Sequence, residues 1–144
     1  MRQYKTEIRD KMAAYLMEEL NLRAEELGLD KISHVETGIT STPGVSSASP
    51  ILYLFIGARN LSQDFFDSYT CRMGICFGCG TPQDGEATAD LWEDAIEDVF
   101  RKDRGLGDSC LMWANEPTIM SVGEPGIWMT TCDFDVEYDL WGDV

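Results

Sequence analysis

The strictest pattern in the chain is an alternation of mostly apolar with mostly polar side chains over residues 128–141. A period of two is the repeat of a β-strand, in which successive side chains point to opposite faces of the sheet. The apolar face must be buried against another layer of the fold. This face holds Trp128, Thr130, Cys132, Phe134, Val136, Tyr138 and Leu140. The opposite face holds Met129, Thr131, Asp133, Asp135, Glu137 and Asp139.

Two segments, residues 4–28 and 87–102, repeat apolar side chains at spacings of three and four. This period predicts two amphipathic helices. Gly28 is the expected stop of the first helix, and Gly105 and Gly107 are the expected stops of the second. The apolar positions are Tyr4, Ile8, Met12, Tyr15, Leu16 and Leu20 in the first segment, and Leu91, Ala95, Ile96 and Val99 in the second.

The remaining apolar runs predict further strands. Residues 51–56 are apolar at every position, which is typical of a central strand covered on both faces. Residues 69–77 alternate, and short strands are expected at 34–39 and within 109–122, the latter interrupted near 115–117. Turns or connections are predicted at 60–67, 81–85 and 123–126, and a mobile loop at 40–50.

The order helix, strands, helix, strands predicts a single α+β domain over residues 1–144. Two helices are expected to pack on a mostly antiparallel sheet of about four to six strands. The length of 144 residues fits one domain, and an apolar fraction of 44% is enough for a core.

The net charge restricts the possible functions more than the length and the apolar fraction do. The chain has 26 acidic and 11 basic residues, a net charge of −15, and no Lys or Arg after position 104. A protein that reads nucleic acid directly needs a basic patch, so that class is excluded. The row Asp133, Asp135, Glu137 and Asp139 is either a solvated face or a surface that docks a partner or lines a channel. Trp141 follows on the same face and is a candidate contact residue.

Five cysteines are present, and the charged N-terminus lacks the apolar run of a signal peptide, so reduced thiols in the cytosol are expected. Cys76 and Cys79 form a CxxCG motif that could supply two ligands to zinc or a redox pair. A zinc site needs two more ligands, to be found among Cys71, Cys110, Cys132 and His34. We expect structural thiols here, with no metal and no cofactor, and keep a small zinc-binding or redox module as the alternative.

Signatures of catalysis are absent from the sequence. It contains no GxSxG, HExxH or phosphate-binding loop, and the lone His34 is expected at the surface. No stretch is long and apolar enough to span a membrane. The chain is therefore expected not to be an enzyme, and not to have a membrane partner.

The segment 87–112, and most closely 91–112, resembles small proteins of tailed-phage and prophage tails, in which a helix closes on a charged turn with a Leu-Gly step and then enters a strand. The group includes tail terminator, tail completion, minor tail and neck proteins. Asp108 stands where many members have a small residue, and the CxxCG motif is not typical of the group.

The resemblance implies a virion structural protein that forms a ring, often hexameric, capping the tail tube and joining it to the head or neck. Its partners would be copies of itself and the tail tube and neck proteins, with DNA passing through without specific binding. It would reside in the virion tail, and in the host cytoplasm during assembly. The acidic row and Trp141 would then form a lumen or interface surface.

Overall fold

The computed structural model describes residues 4–37, 50–61, 66–107, 113–124 and 126–139, with only the backbone of Tyr4, Thr37, Phe66, Pro82, Trp113 and Asp139. Its elements are α1 (Tyr4–Leu27), β1 (His34–Thr37), β2 (Ile51–Asn60), β3 (Phe66–Gly78), α2 (Pro82–Lys102), β4 (Trp113–Glu124) and β5 (Ile127–Asp139). The strands form one sheet in the order β1-β2-β3-β5-β4. Only β1 and β2 pair in parallel. The predicted α+β class is confirmed.

The core lies between the two helices and one face of the sheet. The alternating positions predicted for β3 are buried there, as are those of β5 from Thr130 to Tyr138 and Leu52, Leu54 and Ile56 of β2. Trp128 is partly buried against the core, and Leu140 lies outside the described residues. Each large apolar side chain removed from water contributes roughly 1.5–3 kcal/mol. Trp92 and Phe100 of α2 are also buried, although the predicted stripe did not include them. The helical contribution to the core consists of Ile8, Met12, Leu16, Leu20, Ala24, Ala89, Trp92, Ala95, Ile96, Val99 and Phe100.

Helix α2 begins five residues earlier than predicted, and the turn expected at 81–85 is its first turn. Thr81 is the N-cap: its Oγ accepts the Asp84 N–H at 3.2 Å and donates to the Asp84 carboxylate at 2.8 Å. Pro82 is favoured at the start of a helix, where its missing N–H costs nothing. Proline and glycine are found both in turns and at helix starts, so the composition of residues 81–85 did not distinguish the two, and a turn was predicted.

Strand β2 also differs from its prediction. Helices cover only the face of Leu52, Leu54 and Ile56, whereas Tyr53 and Phe55 on the other face are half-buried and lie outside the core cluster. Ile51, also on that face, is 2% exposed, and among the described residues a helical layer covers only the first face. The predicted connection at 60–67 is shorter than expected, because Asn60 pairs with Ser68 inside the ladder.

Several local predictions are confirmed. Helix α1 ends at Leu27, and Gly28 follows at a φ of +72°, where glycine has no steric penalty. Strand β4 shifts register between Asn115 and Thr118, and Glu116 has a φ of +49°, at the predicted interruption. The strand predicted at 34–39 is observed at His34–Thr37, and residues 40–49 of the predicted loop lie outside the described residues.

Neither of the two described helices is long and apolar enough to cross a membrane.

Candidate interaction surface

Among the described residues, the helices cover only one face of the sheet, and we call the other face the outer face. Strand register places two kinds of side chain on it. Towards the end of the sheet that holds the β4–β5 turn lies an apolar zone, and further along β5 lies an acidic row. The apolar zone consists of Ile51, Tyr53, Cys76, Met120, Val122 and Met129. The acidic row consists of Asp133, Asp135 and Glu137.

Tyr53 organises the apolar zone. Its ring lies over Gly74, where an added Cβ would be 2.9 Å from the Tyr53 Cε2 atom. Its hydroxyl donates to the Met129 sulfur at 3.5 Å. Cys76 is only 1% exposed, whereas Met120 and Val122 on the neighbouring strand are 49% and 52% exposed. The zone therefore has a packed centre and an exposed margin on β4.

The acidic row carries more charge than its neighbours neutralise. Arg72 binds Asp133 through both carboxylate oxygens, at 2.5 and 3.0 Å. Asn115 donates to Glu137 at 3.4 Å, and Asp135 is exposed between them. Carboxylates at alternate strand positions stand about 6.6–6.8 Å apart, which is too open to chelate one cation well. The arrangement is a charged surface, not a metal cage.

The predicted row had two further members. Strand β5 ends at Asp139, whose side chain is not described, and Trp141 lies outside the described residues. The structure thus brings three of the five predicted surface residues together on one face.

The two cysteines of the CxxCG motif lie on different sides of the sheet. Cys76 is on the outer face, paired in register with Ile51 and Met129. Cys79 lies past the strand end and against α2, because an added Cβ on Gly85 would be 3.0 Å from the Cys79 Cβ. The sheet therefore separates the two thiols, and this geometry does not favour a shared zinc ion or a disulfide.

The other described thiols do not complete a site either. Cys71 and Cys132 are buried on the helix-covered face, and burial raises the pKa of each to about 12. Burial also raises the pKa of Cys76. Metal ligation and nucleophilic attack need the thiolate, which such environments disfavour. Within the described ranges, no three His, Cys, Asp or Glu side chains are grouped so that they could hold a metal ion.

His34 lies on the edge strand β1 with its side chain 52% exposed. The Ser33 hydroxyl is 3.1 Å from its Nδ1, and the Glu36 carboxylate is 3.4 Å from its Nε2. This is the surface position that was predicted.

A groove of about 550 Å³ runs between α2 and β4. Its rim mixes three glutamates with two arginines, and Glu97 already pairs with Arg101 at 2.6 Å. A lining of nearly balanced charge selects neither anions nor cations strongly. The lining residues are Glu93, Glu97, Phe100, Arg101, Arg104, Glu116, Pro117 and Ile119.

Sequence reasoning missed the apolar zone as a surface. Met120 and Val122 alternate in the sequence, which is a strand signal, but alternation does not tell which face the helices cover. Tyr53 sits in a run that is apolar at every position, so its outward direction had no local signal.

No protein-family model matches the chain, and a comparison with curated proteins finds no match.

Proposed function

We propose that the protein is a structural component of a phage or prophage tail, of the terminator or minor tail type, which forms a ring that caps the tail tube and joins it to the head or neck. The observation that carries the proposal is the acidic row on the outer face of the sheet, beside an apolar zone. Such a face suits a channel wall flanked by contact surface.

The acidic row suits a wall past which DNA must move. Duplex DNA carries one negative charge for about every 1.7 Å of its axis, so carboxylates repel it at close range. In a ring, each copy would add Asp133, Asp135 and Glu137 to the wall. DNA would then pass without being held.

The apolar zone suits assembly. The centres of protein–protein interfaces are depleted in charge and enriched in methionine and aromatic residues. Tyr53, Met120 and Met129 provide such side chains, and the described part of the chain leaves them without a covering element. The function is therefore built on contacts between proteins, and we propose no catalytic step.

The ring is tested by light scattering over a wide range of concentration and salt, with metal content measured on the same sample. We expect a closed oligomer, most simply a hexamer, without bound zinc. A monomer that carries one zinc per chain would contradict the proposal and favour the module at Cys76 and Cys79. If the chain is a metal-free monomer, ring formation would have to be tested in the presence of the tail.

The channel role is tested with a triple variant, Asp133→Asn with Asp135→Asn and Glu137→Gln. The matched control is Glu86→Gln with Asp90→Asn and Asp94→Asn, which removes the same charge from exposed positions of α2. At low salt, the assembled outer-face variant should exclude duplex DNA from the channel less strongly than the control does, because the row no longer repels phosphates. Equal exclusion by both would show that net charge, and not the acidic row, keeps DNA away.

A further inference from the structure

Strand β4 ends the sheet, and in the part of the chain that the structure describes no strand pairs with its outer edge. Near the start of β4, the Ala114 N–H donates to the Arg104 carbonyl at 2.6 Å, and residues 118–124 have no such contact among the described backbone hydrogen bonds. A free edge presents unpaired N–H and C=O groups and is a template for another strand. Natural proteins usually protect such edges with charged side chains, proline or bulges. The side chains and backbone of β4 therefore determine whether another strand can pair with this edge (an open edge) or not (a blocked edge).

The edge is blocked at its ends and open in the middle. Glu116, with its left-handed backbone, and Pro117 close one end, and Glu124 closes the other. Between them, residues 118–123 carry no charge, in a chain with 26 acidic residues. Met120 and Val122 lie half-exposed within this stretch.

We propose that β4 pairs with β4 of a second copy of this chain, antiparallel, about a two-fold axis near Ser121. In this register Met120 lies opposite the partner's Val122, and Val122 lies opposite the partner's Met120. Thr118 faces the partner's Glu124, so no like charges are opposed. Cross-strand apolar pairs of this kind are the usual unit of sheet stabilisation.

The stretch is thus complementary to itself, which is the property that a two-fold interface requires. Ile119 lies opposite the partner's Gly123, which has no side chain to obstruct it. Pairing with a strand of another protein would not require residues 118–124 to be complementary to themselves. This self-complementarity is the reason to assign the edge to a second copy.

The negative charge of the chain opposes the pairing only moderately. A two-fold axis perpendicular to the sheet keeps both acidic rows on the same outer face, with two β4 strands between them. Three strand spacings separate the rows by about 14 Å. The Debye length is about 8 Å at physiological ionic strength, so added salt should strengthen the association.

The pairing does not rest on the proposed function. A two-fold contact closes on itself, whereas a ring needs a head-to-tail contact. The two contacts therefore differ in symmetry, although both include Met120 and Val122. A dimer mass and protected backbone amides at the edge identify the pairing, because a ring contact through side chains of the outer face would not protect those amides.

Sedimentation equilibrium tests the pairing with the double variant Met120→Glu, Val122→Glu, which opposes glutamates across the axis. Its control is Leu22→Glu, Leu27→Glu, which makes the same chemical change at exposed positions of α1. We expect the edge variant to raise the dimer dissociation constant at least about tenfold and the control to leave it unchanged. Circular dichroism verifies that both variants are folded.

Hydrogen exchange of the unmodified chain gives a second measure. Amides in 118–124 should be better protected at high than at low protein concentration, and better protected in high salt. A chain that stays monomeric with unprotected edge amides would overturn the pairing. So would a dimer or ring whose mass and affinity are the same in the edge variant and the control, and a ring of that kind would leave the proposed function intact.

Discussion

At the scale of single residues, Trp128 shows how closely the elements meet. Its indole lies between Gly85 of α2 and Gly123 of β4. An added Cβ would be 2.1 Å from the indole Nε1 at Gly85, and 2.5 Å from Cε2 at Gly123. The Trp128 ring therefore cannot shift away from one glycine without approaching the other. These glycines are needed for space, not for backbone freedom.

Gly85→Ala should lower the free energy of unfolding. Alanine favours a helix over glycine by about 1 kcal/mol, so a judgement from helix propensity alone would predict stabilisation. Overpacking against Trp128 costs about 1–3 kcal/mol and should outweigh it. Urea unfolding measures the difference, with Gly80→Ala as control because no atom lies within 4 Å of its added Cβ. A Gly85→Ala variant more stable than the unmodified chain would contradict the close packing.

At the scale of elements, α1 and α2 are joined by a nearly buried arginine. Arg23 donates through Nε to Asp98 and through Nη1 to Glu19, each at 2.7 Å. Lys102 approaches Glu19 from α2 at 3.3 Å. Glu19 is 13% exposed, so its charge is largely removed from water and depends on these partners.

The network makes stability depend on pH. The hydrogen bond from Arg23 lowers the pKa of Glu19 below its ordinary value of 4.5. A lowered folded-state pKa contributes stability above the unfolded pKa, and this contribution is lost as the pH falls through the folded pKa. Glu19→Gln should therefore cost about 1–3 kcal/mol at pH 7 and progressively less below about pH 4.5.

Urea unfolding between pH 7 and pH 3 measures this difference. Glu18→Gln, at an exposed neighbouring position of the same helix, controls for the loss of one charge. A cost of Glu19→Gln that stays constant over the range would show that the ion pairs do not stabilise the contact between the helices.

At the scale of the whole molecule, a net charge of −15 acts against the compact state. The chain has 26 acidic and 11 basic residues, so one-to-one pairing would leave 15 carboxylates without a cation. Repulsion between unpaired carboxylates is relieved when the chain unfolds. The same charge should keep monomers apart in solution. Self-association must therefore use surfaces with little charge, which the apolar zone and the β4 edge provide.

Raising NaCl from about 20 mM to about 500 mM should increase the urea concentration at the unfolding midpoint, because salt screens repulsion between exposed charges. The triple variant of α2, with three carboxylates fewer, should respond less. A midpoint independent of salt, or an equal response in both proteins, would show that self-repulsion is not a significant term. Measurements at low protein concentration keep association out of the comparison.

The sequence by itself determined the elements and the inner face of the sheet. Alternation over 69–77 and 128–141 predicted the buried positions of β3 and β5, and helical spacing predicted α1 and most of α2. These patterns are local, because the backbone repeats of two and 3.6 residues decide which side chains share a face. The start of α2 was missed because Thr81 and Pro82 are equally typical of a turn.

Only the tertiary structure decided which strands and which side chains are neighbours. The strand order places β5 between β3 and β4, which brings Arg72 to Asp133 and leaves β4 at an edge. The side taken by the helices leaves Tyr53 and Cys76 on the outer face, while Cys79 lies past the end of β3 and against α2. Strand order and the side taken by the helices depend on packing between distant segments, and local periodicity contains no information about those contacts.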